Sequence, residues 1–178
     1  MKIAIITGAS SGLGIELLRA AVKRCPDIDT YWLVARRKER LEALKTEFPE
    51  KTIRAVPLDL TKAESFDTLA DMLKAENAEV KLLINNAGMG KLCDFDCVDR
   101  ESQLTQVDLN CRALTAVTHT CLPDMTKGSA IINISSIAAV CGLYDRVYYA
   151  AAKAGMIGMV KALAMEVGEY NICVNAIS

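Results

Sequence analysis

Thr7-Gly8-Ala9-Ser10-Ser11-Gly12-Leu13-Gly14 follows directly on an apolar run, Lys2 to Ile6, and opens a stretch of helical period from Gly12 to Arg24. Three glycines between a strand and a helix solve one geometric problem. The chain reverses tightly at Gly8, lets a pyrophosphate approach its backbone near Gly12, and packs the helix against the strand at Gly14. The free N–H groups and positive end of the helix then hold phosphates without a lysine. Gly8, Ser10, Ser11, Gly12, Leu13 and Gly14 are therefore the expected contacts of a dinucleotide. Glycines that serve only a tight turn are the competing reading, and the position of the stretch after a strand and before a helix weighs against it. No G-x-x-x-x-G-K-[ST] occurs anywhere, which disfavours a nucleoside triphosphatase.

Outward from that turn, short β-rich apolar runs alternate with helical stretches. Thr30 to Val34 is followed by Arg37 to Glu47, Thr52 to Val56 by Lys62 to Glu76, and Val80 to Ile84 by one long helix, Glu101 to Met125. Ser129 to Ile134, Arg146 to Glu169 and a last run, Ile172 to Ile177, complete the series. Strict alternation specifies right-handed crossovers and a doubly wound parallel α/β sheet with helices on both faces. Ile3-Ala4-Ile5-Ile6 and Lys81-Leu82-Leu83-Ile84 are nearly continuous apolar runs, as strands covered on both faces require. In such a sheet the ligand sits beyond the carboxyl ends of the strands, so residues just after each strand carry the functional reading.

The 178 residues fit a single domain, residues 1 to 178, and bury about 70% of the surface of the unfolded chain. Apolar residues at 52% and charged residues at 24% with net charge −1 argue against disorder, a nucleic-acid groove or an anionic membrane surface. A small-molecule partner is the expectation. The seven cysteines are odd in number, and Cys111, Cys121 and Cys173 sit among apolar neighbours, which suits reduced, packed thiols. Cys93 and Cys97 lack a second Cys or His pair nearby, and His119 is the sole histidine, so no metal is expected. Met1-Lys2 followed by a short apolar run reads as a first strand rather than a signal peptide, and no stretch reaches about 18 apolar residues. A cytoplasmic protein is expected.

The glycine spacing G-x-x-x-G-x-G, together with Asn85-Asn86-Ala87-Gly88 after the fourth strand, resembles the short-chain dehydrogenase/reductase family, classical type. After the second strand stands Val34-Ala35-Arg36-Arg37, with no Asp or Glu before Glu39. A carboxylate there binds the ribose 2′-hydroxyl of NAD, whereas an arginine accommodates the 2′-phosphate of NADP. NADP(H) is thus expected over NAD(H), with Arg36 as first phosphate ligand and Arg37 as second. Two simply exposed arginines are the alternative. The resemblance implies that Asp59, with Leu60 beside it, meets the adenine and that Asn86, Ala87 and Gly88 line the adenosine ribose.

Tyr148 and Tyr149 are adjacent, but residues four apart share a helical face, so Tyr149 faces Lys153 while Tyr148 faces Ala152. A phenol is a poor base at neutral pH, and a neighbouring ammonium favours the phenolate. Such a pair suits an enzyme that moves a proton on or off oxygen while hydride moves on or off carbon. By itself this spacing is common on solvated helices. The family's Y-x-x-x-K motif matches Tyr149-Ala150-Ala151-Ala152-Lys153 and Ser136, thirteen residues upstream, matches its serine; adjacent Ser135 points to the other face of an extended chain. The resemblance implies that Ser136 hydrogen-bonds the substrate oxygen and that Asn110 anchors a water relaying protons through Lys153. It also implies that Tyr149 and Lys153 touch the cofactor.

The resemblance covers the whole chain, to Asn171-Ile172-Cys173-Val174-Asn175-Ala176-Ile177-Ser178. Family members continue with Pro-Gly, a substrate-covering loop and a seventh strand, so relative to them residues 1 to 178 lack the carboxyl-terminal substrate region. The implied activity is reduction of a ketone or 3-oxoacyl substrate with NADP(H), or the reverse oxidation, in a homodimer or homotetramer packed through its two long helices. A non-catalytic NADP(H)-binding sensor and an inactive truncated fragment are the alternatives. A complete Asn110, Ser136, Tyr149 and Lys153 set argues against the sensor.

Overall fold

Ile3, Ala4, Ile5 and Ile6 are all fully buried, and that fact organises the computed structural model, which describes residues 1 to 178. Side chains of a strand alternate between faces. Ile3 and Ile5 of β1 (Lys2–Thr7) enter one core, while Ala4 and Ile6 enter a second on the other face of the sheet. β2 (Thr30–Ala35) divides the same way, with Trp32 and Val34 in the first core and Tyr31 and Leu33 in the second. Each fully buried side chain of this size contributes about 1.5–3 kcal/mol.

All six strands are parallel, in the order β3-β2-β1-β4-β5-β6, where β3 is Thr52–Pro57, β4 Glu79–Asn85, β5 Met125–Ile134 and β6 Cys173–Ile177. Winding proceeds outward from β1 through β2 to β3, then returns to the other side of β1 at β4. The doubly wound parallel sheet read from the sequence is the fold. The first core is closed by α3 (Glu64–Ala75) through Leu69 and Leu73, and by helices described next. The second is closed by α1 (Leu13–Arg24) through Leu18 and by α2 (Lys38–Ala43) through Leu41.

The expected single helix from Glu101 to Met125 is three pieces. α4 (Arg100–Val107) opens on Asp99, whose carboxylate accepts from the Ser102 N–H at 2.8 Å, a side-chain cap. A π turn, Asp108–Arg112, follows, and then α5 (Ala113–Cys121). Pro123 ends the run in a 3-10 turn, Leu122–Asp124, because it carries no N–H for a continuing helix. Met125 therefore begins β5, which starts four residues before the expected Ser129. α6 (Val147–Val167) is the longest helix, and no helix is long and apolar enough to cross a membrane. Of the three cysteines expected to be packed, Cys121 is buried and Cys111 half-buried, but Cys173 is exposed, on the opposite face of β6 from buried Val174.

The turn after β1 separates two kinds of glycine. Gly8 has φ +68°, and a Cβ there would stand 2.8 Å from Ala87 Cα and 2.9 Å from Asn86 Nδ2. Gly12 has φ +56° with nothing within 4 Å of its Cβ position. Gly12→Ala should cost about 1–3 kcal/mol from backbone conformation alone. Gly8→Ala should exceed it by about another 1–3 kcal/mol, because backbone stands where the methyl must go. Urea denaturation of the two variants checks the order.

Candidate active site

At the switch point between β1 and β4 the two strand ends are spliced by Thr7, which is buried. Its hydroxyl accepts from the N–H groups of Asn86 and Ala87, both at 3.0 Å, and lies 3.4 Å from the carbonyl of Ile84, to which it donates. Asn86 answers from β4, its side-chain amide donating to the carbonyls of Thr7 at 3.1 Å and Gly8 at 3.3 Å. The Gly8 N–H donates to Val34 O at 2.8 Å, fastening the turn to β2 as well. Gly14 packs so closely on the carbonyl of Gly8 that a side chain there is excluded.

Beyond this splice opens a cleft of about 490 Å³. Gly8, Ser10, Ser11, Leu13 and Gly14 line one wall, Arg36 and Arg37 the end by β2, and Asp59 and Leu60 the side by β3. Asn86, Ala87 and Gly88 form the opposite wall. Gly12, in the expected set, lies outside the lining; it is the residue before α1 and faces solvent. Val34, Ala35, Leu58, Thr61, Met89, Thr105 and Leu109 also line the cleft and were not singled out from the sequence. All but Thr105 and Leu109 follow or end a strand, a signal that was available; those two arrive on α4 and the π turn, through tertiary packing.

Both arginines are exposed at the cleft edge. Arg37 lays its guanidinium on the turn, donating to Ser10 Oγ at 3.2 Å and Ser11 Oγ at 3.3 Å. Burial opposes ionisation of Asp59, but the N–H and hydroxyl of Thr61 and the positive charges of Arg36 and Lys62 outweigh it. Its carboxyl therefore sits below the ordinary carboxylate range.

The proton-transfer candidates lie where the cleft passes Gly88. A Cβ on Gly88 would meet Asn110 Oδ1 at 2.6 Å and Lys153 Nζ at 3.6 Å, so both side chains close on Gly88. Lys153 is buried, donates to Ile134 O at 2.6 Å, and carries its Nζ 5.7 Å from the centre of the Tyr149 ring. Burial lowers its pKa to about 8 from an ordinary 10.5. Arg146 stands 5.9 Å from the same ring. Tyr148, one residue round the helix, instead stacks on Phe95.

Asn110 sits in the π turn and is fully buried. Its amide donates to Gln106 O at 2.8 Å and Met89 O at 2.5 Å and accepts from the Met89 N–H at 3.2 Å. The side chain thus holds the main chain just after Gly88. Ser136 is half-buried, and its hydroxyl accepts from Ala138 N at 3.2 Å at the head of a 3-10 turn, Ile137–Ala139. Ser135 is buried with its hydroxyl unpartnered. No hydrogen bond joins Ser136 to Tyr149, so the structure brings together Gly88, Asn110, Lys153 and Tyr149 but leaves Ser136 engaged with its own turn. Thr7, Gln106 and Met89, which position this group, were missed by the sequence reading. A hydroxyl at the last residue of β1 was the visible sign of the first.

Residues 2–178 match the family model described as short chain dehydrogenase. The chain is 32% identical over 180 residues to acetoacetyl-CoA reductase of Acinetobacter sp. (strain RA3849), covering 99% of this chain and 73% of that one. It is 30% identical over 179 residues to an NAD-dependent glycerol dehydrogenase of Listeria innocua, covering 99% and 69%. A short-chain dehydrogenase from Streptomyces avermitilis superposes with a TM-score of 0.89 at 30% identity over 98% of this chain and 64% of its own. The chain thus spans roughly two thirds to three quarters of these proteins.

The buried amine of Lys153 gives the cofactor-free protein a pH signature. Between about pH 8 and 10.5 the unfolded chain holds a proton that the folded one has released, so stability rises with pH across that window. Below it both states are protonated and the folded protein bears the full cost of the buried charge. Lys153→Met lacks this titration. The stability of wild type relative to Lys153→Met should therefore improve by about 1–2 kcal/mol between pH 8 and 9.5. Paired urea titrations measure it, and a flat difference would show that Lys153 keeps its proton.

Proposed function

Since the chain belongs to the short-chain dehydrogenase family, a family of nicotinamide-dependent oxidoreductases acting on small carbonyl or alcohol substrates, we propose that it interconverts a ketone and an alcohol with NADP(H), Tyr149 exchanging the proton on oxygen. The observation that carries the reading is the buried Lys153 amine beside the Tyr149 ring, in contact with the Gly88 wall of the cleft. The cleft suits the cofactor, since Gly8 and Gly14 keep the phosphate turn bare of side chains and Gly88 does the same beside Lys153. When bound, the nicotinamide supplies or accepts the hydride.

The remaining work belongs to this chain. The N–H groups of the turn and the positive end of α1 hold the pyrophosphate. Lys153 still carries most of its proton at pH 7 and stands beside the Tyr149 ring, with its Nζ 5.7 Å from the ring centre. Tyr149 gives its proton to the carbonyl oxygen in reduction and takes it back in oxidation. Ser136, by rotating off Ala138, is the hydroxyl that would stabilise charge on that oxygen. Preference for the 2′-phosphate is supported by Arg37 over Ser10 and Ser11, by Arg36 near Asp59, and by the lack of any carboxylate between β2 and Glu39. Similarity to an acetoacetyl-CoA reductase supports a 3-oxoacyl flavour of substrate. Exposed small residues on α6, namely Ala151, Ala154, Gly155 and Gly158, suit close packing against a second copy.

Tyr149→Phe should lower turnover at least about a hundredfold in an NADPH-dependent ketone assay. NADPH binding by fluorescence should stay within about twofold, since the phenol oxygen gives the cofactor little of its binding energy. Near wild-type turnover in that variant would sink the assignment. Arg36→Ala/Arg37→Ala should weaken NADPH binding by about tenfold or more and leave NADH binding nearly unchanged, since two charge-assisted bonds to phosphate are lost.

A further inference from the structure

Between β4 and α4 a ribbon without regular secondary structure, Met89 to Val98, passes the first turn of α6 and ends in a turn at residues 95–97, and it is tethered at Met89, Lys91, Cys93 and Phe95. Met89 is bonded both ways by the Asn110 amide, and the Lys91 N–H donates to Gln106 Oε1 at 3.0 Å. The Cys93 N–H donates to Asp145 O at 3.4 Å, and the Phe95 ring lies flat on Tyr148, with centroids 4.9 Å apart and planes within 9°. Gly90, between the first two tethers, faces Tyr149, where a Cβ would come within 3.3 Å of Cδ2 and 3.6 Å of Cε2. The backbone of the ribbon therefore braces the ring proposed to carry the proton.

The two ends of the ribbon are held differently. Asn110 and Gln106, which anchor the near end, are buried. The middle is held by one long hydrogen bond to Asp145, just before α6, and the far part rests on α6 through the aromatic stack. Phe95 is 56% exposed, so burial explains little of its fixed parallel placement. Asp145, which receives the Cys93 N–H, has φ +59° in a left-handed conformation unusual for a non-glycine residue, so the chain bends sharply where it meets the ribbon. Gln103 on α4 takes the Phe95 carbonyl at 3.1 Å and the Val98 carbonyl at 2.6 Å, fixing the backbone from which the Phe95 ring projects.

We infer that Phe95 is a positioning residue for Tyr149: stacked on Tyr148, it latches the ribbon to the first turn of α6 and so fixes Gly90 against the Tyr149 ring. The inference rests on Tyr149 being the proton donor. Tyr148, which helical phase removes from proton transfer, becomes the seat of the latch. With the latch open, the ring gains freedom to swing off the line between Lys153 and the substrate oxygen, and misplacement by about 1 Å costs on the order of a hundredfold in rate.

The test compares Phe95→Ala, Phe95→Leu, Phe95→Tyr, Tyr148→Ala and the Phe95→Ala/Tyr148→Ala double variant in the full-length protein. Turnover, KM for ketone and NADPH affinity by fluorescence are measured for each. Phe95→Ala and Phe95→Leu should lower kcat by about ten- to a hundredfold, with KM and NADPH affinity within about threefold. Phe95→Tyr, which can still stack, should restore kcat to within about threefold of wild type. Tyr148→Ala should match Phe95→Ala, and the double variant should be no slower than either, because each removes the same stack. A rise in KM at unchanged kcat would make Phe95 a substrate contact instead. Wild-type kcat in Phe95→Leu, or fully additive losses in the double variant, would also overturn the latch. Turnover retained by Tyr149→Phe sinks the proton-donor reading itself, whereas an inactive Tyr149→Phe beside a fully active Phe95→Ala sinks the latch alone.

Discussion

A single hydroxyl at the end of β1 holds the site together. Thr7 Oγ1 accepts the N–H groups of both Asn86 and Ala87, and Asn86 returns its amide to the carbonyls of Thr7 and Gly8. These bonds knit the two strands where the winding order reverses, the one place in a doubly wound sheet where neighbouring chains leave in opposite directions and a crevice opens. Left unpaired, these two part-buried N–H groups would each cost up to about 1–3 kcal/mol, so this geometry is preferred. The close approach of Gly8 to Ala87 follows from it, and with it the bareness of the phosphate turn.

From the splice, position is handed on along a short chain of contacts. Gly88 follows Ala87 directly and lies against Asn110 and Lys153, so the cleft and the Asn110–Lys153 pair share a wall at this residue. The π turn completes it. In a regular helix the carbonyl of residue i−4 is taken by the N–H of residue i; at Asp108–Arg112 the ladder widens, so that the Ala113 N–H reaches Asp108 O, and the Asn110 side chain donates to the Gln106 carbonyl one turn back. That bond turns the amide of Asn110 towards Met89 and fixes the main chain beyond Gly88.

The sequence was most legible where chemistry and local geometry coincide. Glycines at a strand-to-helix turn, continuous apolar strands and the four-residue spacing of Tyr149 and Lys153 are each local, and the sheet and the adjacency of Tyr149 to Lys153 followed. The breaks in the helix after Asp99 were not legible. The π turn leaves no trace in hydrophobic period, and Pro123 sits so near the end that Leu122 and Met125 continue an apolar pattern across it. Thr7 and Gln106 were overlooked because their roles depend on partners 79 and 15 residues away. Gly12, read as a phosphate contact by its spacing, is exposed just before α1, and the Ser136 hydroxyl caps its own turn. Spacing reports which residues can meet, while the competing local partners of each appear only in three dimensions.

Burial of Lys153 ties these features into one electrostatic arrangement. A surface lysine holds its proton over the whole neutral range and responds little to its surroundings. Burial has brought Lys153 down to about 8, so that modest changes in nearby charge decide its state. The neutral carbonyl of Ile134 offsets part of the desolvation cost without fixing the charge as a carboxylate would. The one wall separating Lys153 from the cleft is Gly88, which places no side chain between them. Negative charge brought into the cleft or developing on Tyr149 therefore acts on the amine at short range and favours its charged form. Gly8 lets the strand ends close together, and two residues past Asn86 a second glycine, Gly88, leaves the buried amine open to the charge of whatever fills the cleft.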